Sequence, residues 1–184
     1  LEPDAGKVKA LVEALSTKKI GIVAHFYMDP EVQGILMAAK ASYPHIAISD
    51  SLVMADLAVK MVEDGCETIG VLGVDFMSEN VRAIIDEAGH ADAKVYRMAA
   101  EDIGCSLAEA AQSESYDSYL EDASKTKNSV HVIYINTGLD TKAAANAKIP
   151  TITCTSSNVV ATVLQAAAQI PDVHVFYGPD TYMG

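Results

Sequence analysis

The sequence predicts an α/β protein built from two similar three-layer α/β/α units, each with a parallel sheet. Three observations predict it. Short β-branched runs alternate with helix-like segments along the whole chain, as parallel sheets covered by helices require. A strand-to-loop sequence occurs twice: Ile20-Gly-Ile-Val-Ala-His25-Phe-Tyr27-Met-Asp-Pro30-Glu31-Val-Gln33, and Val130-His-Val-Ile-Tyr134-Ile-Asn136-Thr137-Gly-Leu-Asp140-Thr-Lys142. Other stretches then recur in the same order, the signature of an internal repeat.

The elements follow from local pattern. A helix over 4–16 puts Leu11, Val12 and Leu15 on one face. Strands are expected over 19–24, 45–49, 68–73, 93–96, 130–135, 150–154 and 172–177. Helical segments fall between them, over 31–41, 52–64, 79–88, 116–125, 141–147 and 158–169. Ser51, Ser78 and Ser156 each stand just before an apolar periodic segment, where a helix N-cap belongs.

The second half repeats the register of the first. His25 is offset from Tyr134 by 109 residues, and Ser49-Asp-Ser51-Leu-Val-Met-Ala matches Thr155-Ser-Ser157-Asn-Val-Val-Ala at an offset of 106. Ile69–Met77 then resembles Val173–Met183. The first unit is expected over 1–100 and the second, incomplete, over 129–184. A linker carrying Cys105 joins them over 101–128, where Gly104, Ser113 and Ser115 break the pattern. The loop after Met77 runs into a helix, whereas the matching stretch of the second copy ends at Gly184. The expectation is a fragment of a longer chain.

Composition narrows the class. With 50% hydrophobic residues, 6% aromatic and no Trp, the cores are built from Ala, Val, Ile and Leu. A net charge of −12 argues against a nucleic-acid surface, which needs a concentrated basic face. The acidic pairs Glu63-Asp64, Asp86-Glu87 and Glu121-Asp122 read as solvated helix faces. No apolar run approaches membrane-spanning length, so no membrane partner is expected. There is no basic-plus-apolar leader, but a processed precursor would also lack one, and the compartment stays open. Three cysteines without a close-spaced pair do not suggest a disulfide scaffold.

Ligands of open parallel α/β units bind beyond the carboxyl ends of the strands, near helix N-termini. His25, Tyr27, Ser51, Tyr134, Asn136 and Ser156 all fall at such positions. The i, i+2 spacing of His25 and Tyr27, and of Tyr134 and Asn136, should turn each pair to one side as its strand ends. Hydroxyls, an amide, phenols and an imidazole suit a small anion bearing carboxylate or phosphate. No glycine-rich phosphate loop or dinucleotide fingerprint is present, which argues against nucleotide cofactors. Each residue also has a plainer reading. Ser51 and Ser156 can be caps alone, Tyr134 a half-buried strand residue and Asn136 a turn former. His25, at a strand end after Ile-Val-Ala, has the least packing purpose.

His45, His90, His131 and His174 are expected on loops or strand edges, and Tyr96 and Tyr177 in packing. Cys105, in Ile103-Gly104-Cys105-Ser106-Leu107, is expected partly exposed at a helix start. A metal ligand, a nucleophile and an ordinary small residue all stay open for it. Cys66 and Cys154 read as core.

Seven motifs in order carry a family resemblance. They are His25-Phe-Tyr27 with Pro30-Glu31-Val-Gln33, Asp50-Ser51-Leu52 with Met54-Ala55, and Gly73-Val-Asp-Phe-Met77-Ser-Glu79. Then come Gly104-Cys105-Ser106-Leu107, Tyr134-Ile-Asn136-Thr137, Thr155-Ser156-Ser157-Asn158-Val159 and Gly178-Pro-Asp180. From about residue 19 to its end the chain resembles quinolinate synthase, an iron–sulfur enzyme family of NAD biosynthesis. Residues 36–45 and 113–128 are closer to the plant type.

The resemblance implies condensation of iminoaspartate with dihydroxyacetone phosphate to give quinolinate, with loss of phosphate and water. It implies three similar α/β domains around a pseudo-threefold axis, each giving one cysteine to a single [4Fe–4S] cluster. By motif position Cys105 matches the first cluster ligand, while Cys66 and Cys154 match none. His25, Ser51, Tyr134, Asn136 and Ser156 match residues that hold the iminoaspartate carboxylates; Tyr27 matches a tyrosine at the reacting centre, a proton shuttle, and Tyr27 and His25 are the expected catalytic residues. The two further cysteines and a later His and Glu have no counterpart here. The expectation is therefore a protein that continues past Gly184, with these 184 residues inactive alone. Family members commonly pair as homodimers, and the expectation is a soluble protein of a plastid or other eukaryotic compartment if plant-like, otherwise of the cytoplasm. The competing class is a non-enzymatic two-domain module binding a small dicarboxylate in its interdomain cleft. Cys105→Ser separates the two readings, since only the enzyme depends on that thiol.

Overall fold

A computed structural model describes residues 2–179. The chain divides into two units, one up to Ile103 and one from Gly104 onward. Asp180 and the residues after it, with the end of the last sequence motif, lie outside the described residues.

The first unit runs α1 (Ala5–Thr17), β1 (Ile20–His25), α2 (Pro30–Lys40), β2 (Ile46–Ser49), α3 (Ser51–Glu63), β3 (Thr68–Leu72), α4 (Asp75–Glu87) and β4 (Lys94–Arg97). Its strands are all parallel, in the order β2-β1-β3-β4. Alternation along β1 feeds both faces. Ile22 and Ala24 join Leu15 of α1, Leu36 and Ala39 of α2, and Ile46 in one core. Gly21 faces the other way, where a Cβ would come within 2.8 Å of the Met61 Sδ of α3 and 2.9 Å of the Ile69 Cδ1. That close approach lets α3 lie tightly on β1. Ile69 is fully buried on β3. Ile69→Val is expected to cost about 1 kcal/mol, read as a lower urea midpoint at unchanged slope.

The second unit holds the short α5 (Ser106–Ala110), then α6 (Glu114–Ser124), β5 (Ser129–Tyr134), α7 (Leu139–Lys148), β6 (Thr151–Cys154), α8 (Val159–Gln169) and β7 (His174–Gly178). The parallel order is β6-β5-β7. Leu120 and Ala123 of α6 and Ala145 and Ile149 of α7 pack with Ile133 on one face. Val159 and Val163 of α8 pack with Val130, Val132 and Cys154 on the other. Among the described residues, no helix is long and apolar enough to cross a membrane.

The two sheets share a register. Ile22 pairs with Ile46 and His25 with Ser49 in one, and His131 with Thr151 and Tyr134 with Cys154 in the other. On the opposite flank Ile20 pairs with Thr68 and Ser129 with His174. A helix precedes the central strand in both, α1 before β1 and α6 before β5. The repeat is thus helix-strand-helix-strand-helix-strand. The strand register shifts two matches read from the sequence: Ser49 corresponds in the repeat to Cys154 rather than Thr155, and Ile69 to Val175 rather than Val173.

Several local expectations are corrected. The α3 cap is Asp50, whose carboxylate accepts from Leu52 and Val53 N–H at 2.8 and 3.0 Å, so Ser51 is the first helical residue. A carboxylate there is a stronger acceptor than a hydroxyl. Ser78 lies inside α4, where its Oγ donates to the Asp75 carbonyl at 2.8 Å. Ser156 sits in a turn, and Asn158 takes the α8 cap position. Tyr96 is 55% exposed on the edge strand β4 instead of packed. His131 is fully buried on the central strand β5, not on a loop or edge.

Candidate functional site

In the first unit the site residues stand where β1 ends and α2 and α3 begin. His25, the last residue of β1, is 4% exposed. Its Nδ1 accepts the Tyr27 N–H at 3.3 Å, and its ring lies 4.5 Å from Phe26 and 4.6 Å from Tyr27. An accepting Nδ1 puts the proton of the neutral ring on Nε2, which is left as a donor. Burial pushes the His25 pKa below the usual imidazole value, against the pull of the Asp50 carboxylate. The strand stops at His25, so Tyr27 turns outward and is 83% exposed. Proximity of the two rings comes from the turn rather than from strand alternation. Asp29 caps α2 from the loop and Pro30 sits at the first helical position, where a missing N–H costs nothing. Gln33 Nε2 donates to the carbonyls of Phe26 and Met28 at 3.0 and 2.6 Å. Ser51 is buried at the start of α3, beside its cap Asp50.

In the second unit the chain leaves β5 at Tyr134, which is half-buried, and Asn136 is 6% exposed. The Asn136 Nδ2 donates to the Cys105 Sγ at 3.8 Å, and its Oδ1 is buried without a partner. Lys142 Nζ donates to the Ile135 carbonyl at 2.9 Å and also to the Thr137 carbonyl. Thr137, fully buried, returns its hydroxyl to the Tyr134 carbonyl at 3.2 Å. Ser156 is exposed in the turn ahead of α8. The Asn136–Cys105 contact is thus within the second unit, as the His25–Tyr27 contact is within the first.

Three features went unread in the sequence. Gln33 and Lys142 stand in the two strand-to-loop sequences, but both act on backbone carbonyls, which no side-chain pattern reveals. Arg97 is the third. At the end of β4 it binds both Asp75 and Asp102, the latter at 2.8 Å. The Asp75 carboxylate also accepts the Ile103 N–H at 3.2 Å, and the Asp75 N–H donates to the Ile103 carbonyl at 3.1 Å. The segment leading to Cys105 is pinned at Ile103.

Cys105 is partly exposed and not disulfide-bonded, just ahead of α5. Cys66 and Cys154 are buried, and burial pushes both thiols above the usual range. They are core, as their sequence settings predict.

Parallel sheets flanked by helices, with polar groups at strand carboxyl ends, make each unit an open α/β unit. The family model described as Quinolinate synthetase A protein matches residues 8–184, and the chain belongs to that family. A chloroplastic quinolinate synthase of Oryza sativa subsp. japonica is 67% identical over the whole chain, which spans 26% of that protein. The chloroplastic quinolinate synthase of Arabidopsis thaliana is 64% identical, again with 26% of its length covered. The quinolinate synthase of Prochlorococcus marinus (strain MIT 9303) is 29% identical over 175 residues, 44% of its length. The chain thus spans about a quarter of the plant relatives it matches.

The donor set bears on the iron–sulfur cluster that the resemblance implies. Among the described residues, no group of three or more His, Cys, Asp or Glu side chains is placed to hold a metal ion. Cys105 fits as a single ligand: the residue is partly exposed and its sulfur already accepts one N–H. Cys66 and Cys154 do not fit, being buried with burial-raised pKa values.

Proposed function

We propose that this chain is part of a quinolinate synthase, which condenses iminoaspartate with dihydroxyacetone phosphate in NAD biosynthesis. The observation that carries the reading is 64–67% identity to plant quinolinate synthases along all 184 residues. Those relatives are chloroplastic enzymes by name, which supports a plastid location. Because the chain spans a quarter of their length, the remaining catalytic parts, a third α/β domain among them, are assigned to sequence outside these residues.

In this reading Cys105 is one of three thiolate ligands of a [4Fe–4S] cluster, the other two coming from outside this chain. Bound with one iron free of protein ligands, such a cluster supplies a Lewis acid for a substrate hydroxyl or carboxylate. His25, kept neutral by burial, offers its Nε2–H to a carboxylate oxygen. Ser51 adds a buried hydroxyl at the first residue of α3, beside the Asp50 carboxylate that caps the helix. Tyr134, Asn136 and Ser156 are the remaining substrate contacts. Tyr27, exposed and held against His25, is assigned proton transfer at the reacting carbon.

The test is turnover. The full-length protein, reconstituted anaerobically and given iminoaspartate and dihydroxyacetone phosphate, is expected to release quinolinate and inorganic phosphate in equal amounts. Cluster-loaded protein that forms no quinolinate would sink the reading. Retained dicarboxylate affinity in that case would favour a binding module.

A further inference from the structure

The two units place one device at the same point in the repeat. Gln33 is the fourth residue of α2, and Lys142 the fourth of α7. Each binds the carbonyls seven and five residues before it: Phe26 and Met28 for Gln33, Ile135 and Thr137 for Lys142. The residue between the two carbonyls is Tyr27 in one unit and Asn136 in the other. The surrounding backbone matches as well. Phe26 N–H donates to the Ser49 carbonyl at 3.2 Å, and Ile135 N–H to the Cys154 carbonyl at 2.8 Å. Gln33 N–H closes the first helical turn on Asp29 and Lys142 N–H on Gly138, at 3.0 and 3.1 Å.

We propose that Gln33 and Lys142 are positioning residues, each clamping two backbone carbonyls so that Tyr27 and Asn136 are held in a fixed orientation at the strand end. The chemistry explains why an amide and an ammonium can share the task. Carbonyl oxygens accept only, and both side chains offer two or more N–H donors from the same helical position. A residue leaving a strand has no ladder partner to fix it, so the clamp supplies what the sheet no longer does. At a site where orientation within a fraction of an ångström counts, a loose loop costs rate more than stability.

The choice of Tyr27 and Asn136 as functional groups rests on the proposed activity, whereas the clamp itself does not. The decisive variants exchange the two solutions: Lys142→Gln and Gln33→Lys, beside Lys142→Ala and Gln33→Ala, all in the full-length protein. Amide hydrogen exchange at Tyr27 and Asn136 reads the clamp with or without turnover. The alanine variants are expected to speed exchange there about tenfold or more while the central strands keep their protection. The exchanged variants should stay within about threefold of the parent. In the turnover assay the alanine variants should lower kcat more than they raise KM, with rescue by the exchanges. Unchanged exchange in the alanine variants, or a Lys142→Gln protein that folds normally yet exchanges like Lys142→Ala, would overturn the proposal.

Discussion

Cys105→Ser in the full-length protein is expected to abolish cluster assembly and, with it, quinolinate formation. A serine hydroxyl stays protonated where a thiol ionises, and iron–sulfur clusters are held by thiolates. On the proposed three-thiolate assignment, two remaining ligands would not retain the cluster. The fold should barely notice, because Cys105 is partly exposed and joins none of the described cores. Its loop is anchored elsewhere, by the Asp75–Arg97 pair and the Ile103 backbone. A change in stability within about 0.5 kcal/mol is the expectation for such a position. Iron and sulfide content after anaerobic reconstitution, with a denaturant curve on the same sample, separates the two effects. Parent-like iron and sulfide in the serine variant would remove Cys105 from the ligand set.

The second large effect is acid destabilisation through His131. This ring is fully buried on β5, with its Nε2 2.9 Å from the Tyr116 hydroxyl and its Nδ1 unpartnered. Burial pushes its pKa from 6.5 down to about 4 and pushes that of Tyr116 up, so both groups stay neutral. The unfolded chain therefore binds the His131 proton first as pH falls. Stability is fully present above about pH 6.5 and is lost as pH drops toward 4, by about 3 kcal/mol in total. His131→Leu removes this titration, although it also leaves the Tyr116 hydroxyl without its partner and so lowers stability at neutral pH. The diagnostic quantity is the slope with pH, read by amide exchange along β5. An acid slope as steep in His131→Leu as in the parent would assign the sensitivity to other groups.

Much of the secondary structure was legible because it is local. The strands and most helices announce themselves by β-branched runs, helical periodicity and punctuation by Pro and Gly. Boundaries were less so. Asp50 and Ser51 are both good caps, and only the folded geometry shows which carboxylate or hydroxyl reaches the free N–H groups. The start of α4 at Asp75 was missed because Val74, its cap, donates no side-chain signal. His131 misled for a different reason. A polar residue in a strand reads as edge or surface, and its partner Tyr116 lies 15 residues away on a packed helix.

The site divides along the same line. That His25 stands at a strand end follows from Ile-Val-Ala before it and Pro30 after it. That Asn136 touches Cys105 cannot be read from residues 31 apart, since helix α6 and strand β5 must first be folded between them. His25 and Tyr27 do come together, their rings 4.6 Å apart, but through the turn after β1, because the i, i+2 rule holds only while the strand lasts and β1 ends at His25.

The common register of the two sheets makes the molecule its own control experiment. Position for position, Ile22 in the first unit corresponds to His131 in the second, each opposite the first residue of a flanking strand. One scaffold thus shows the same backbone setting answered once by a hydrocarbon and once by a titratable ring. The same holds for Tyr27 against Asn136 and for Gln33 against Lys142. An unpaired protein offers no such internal reference, whereas here each substitution in one half can be judged against a residue its twin already tolerates.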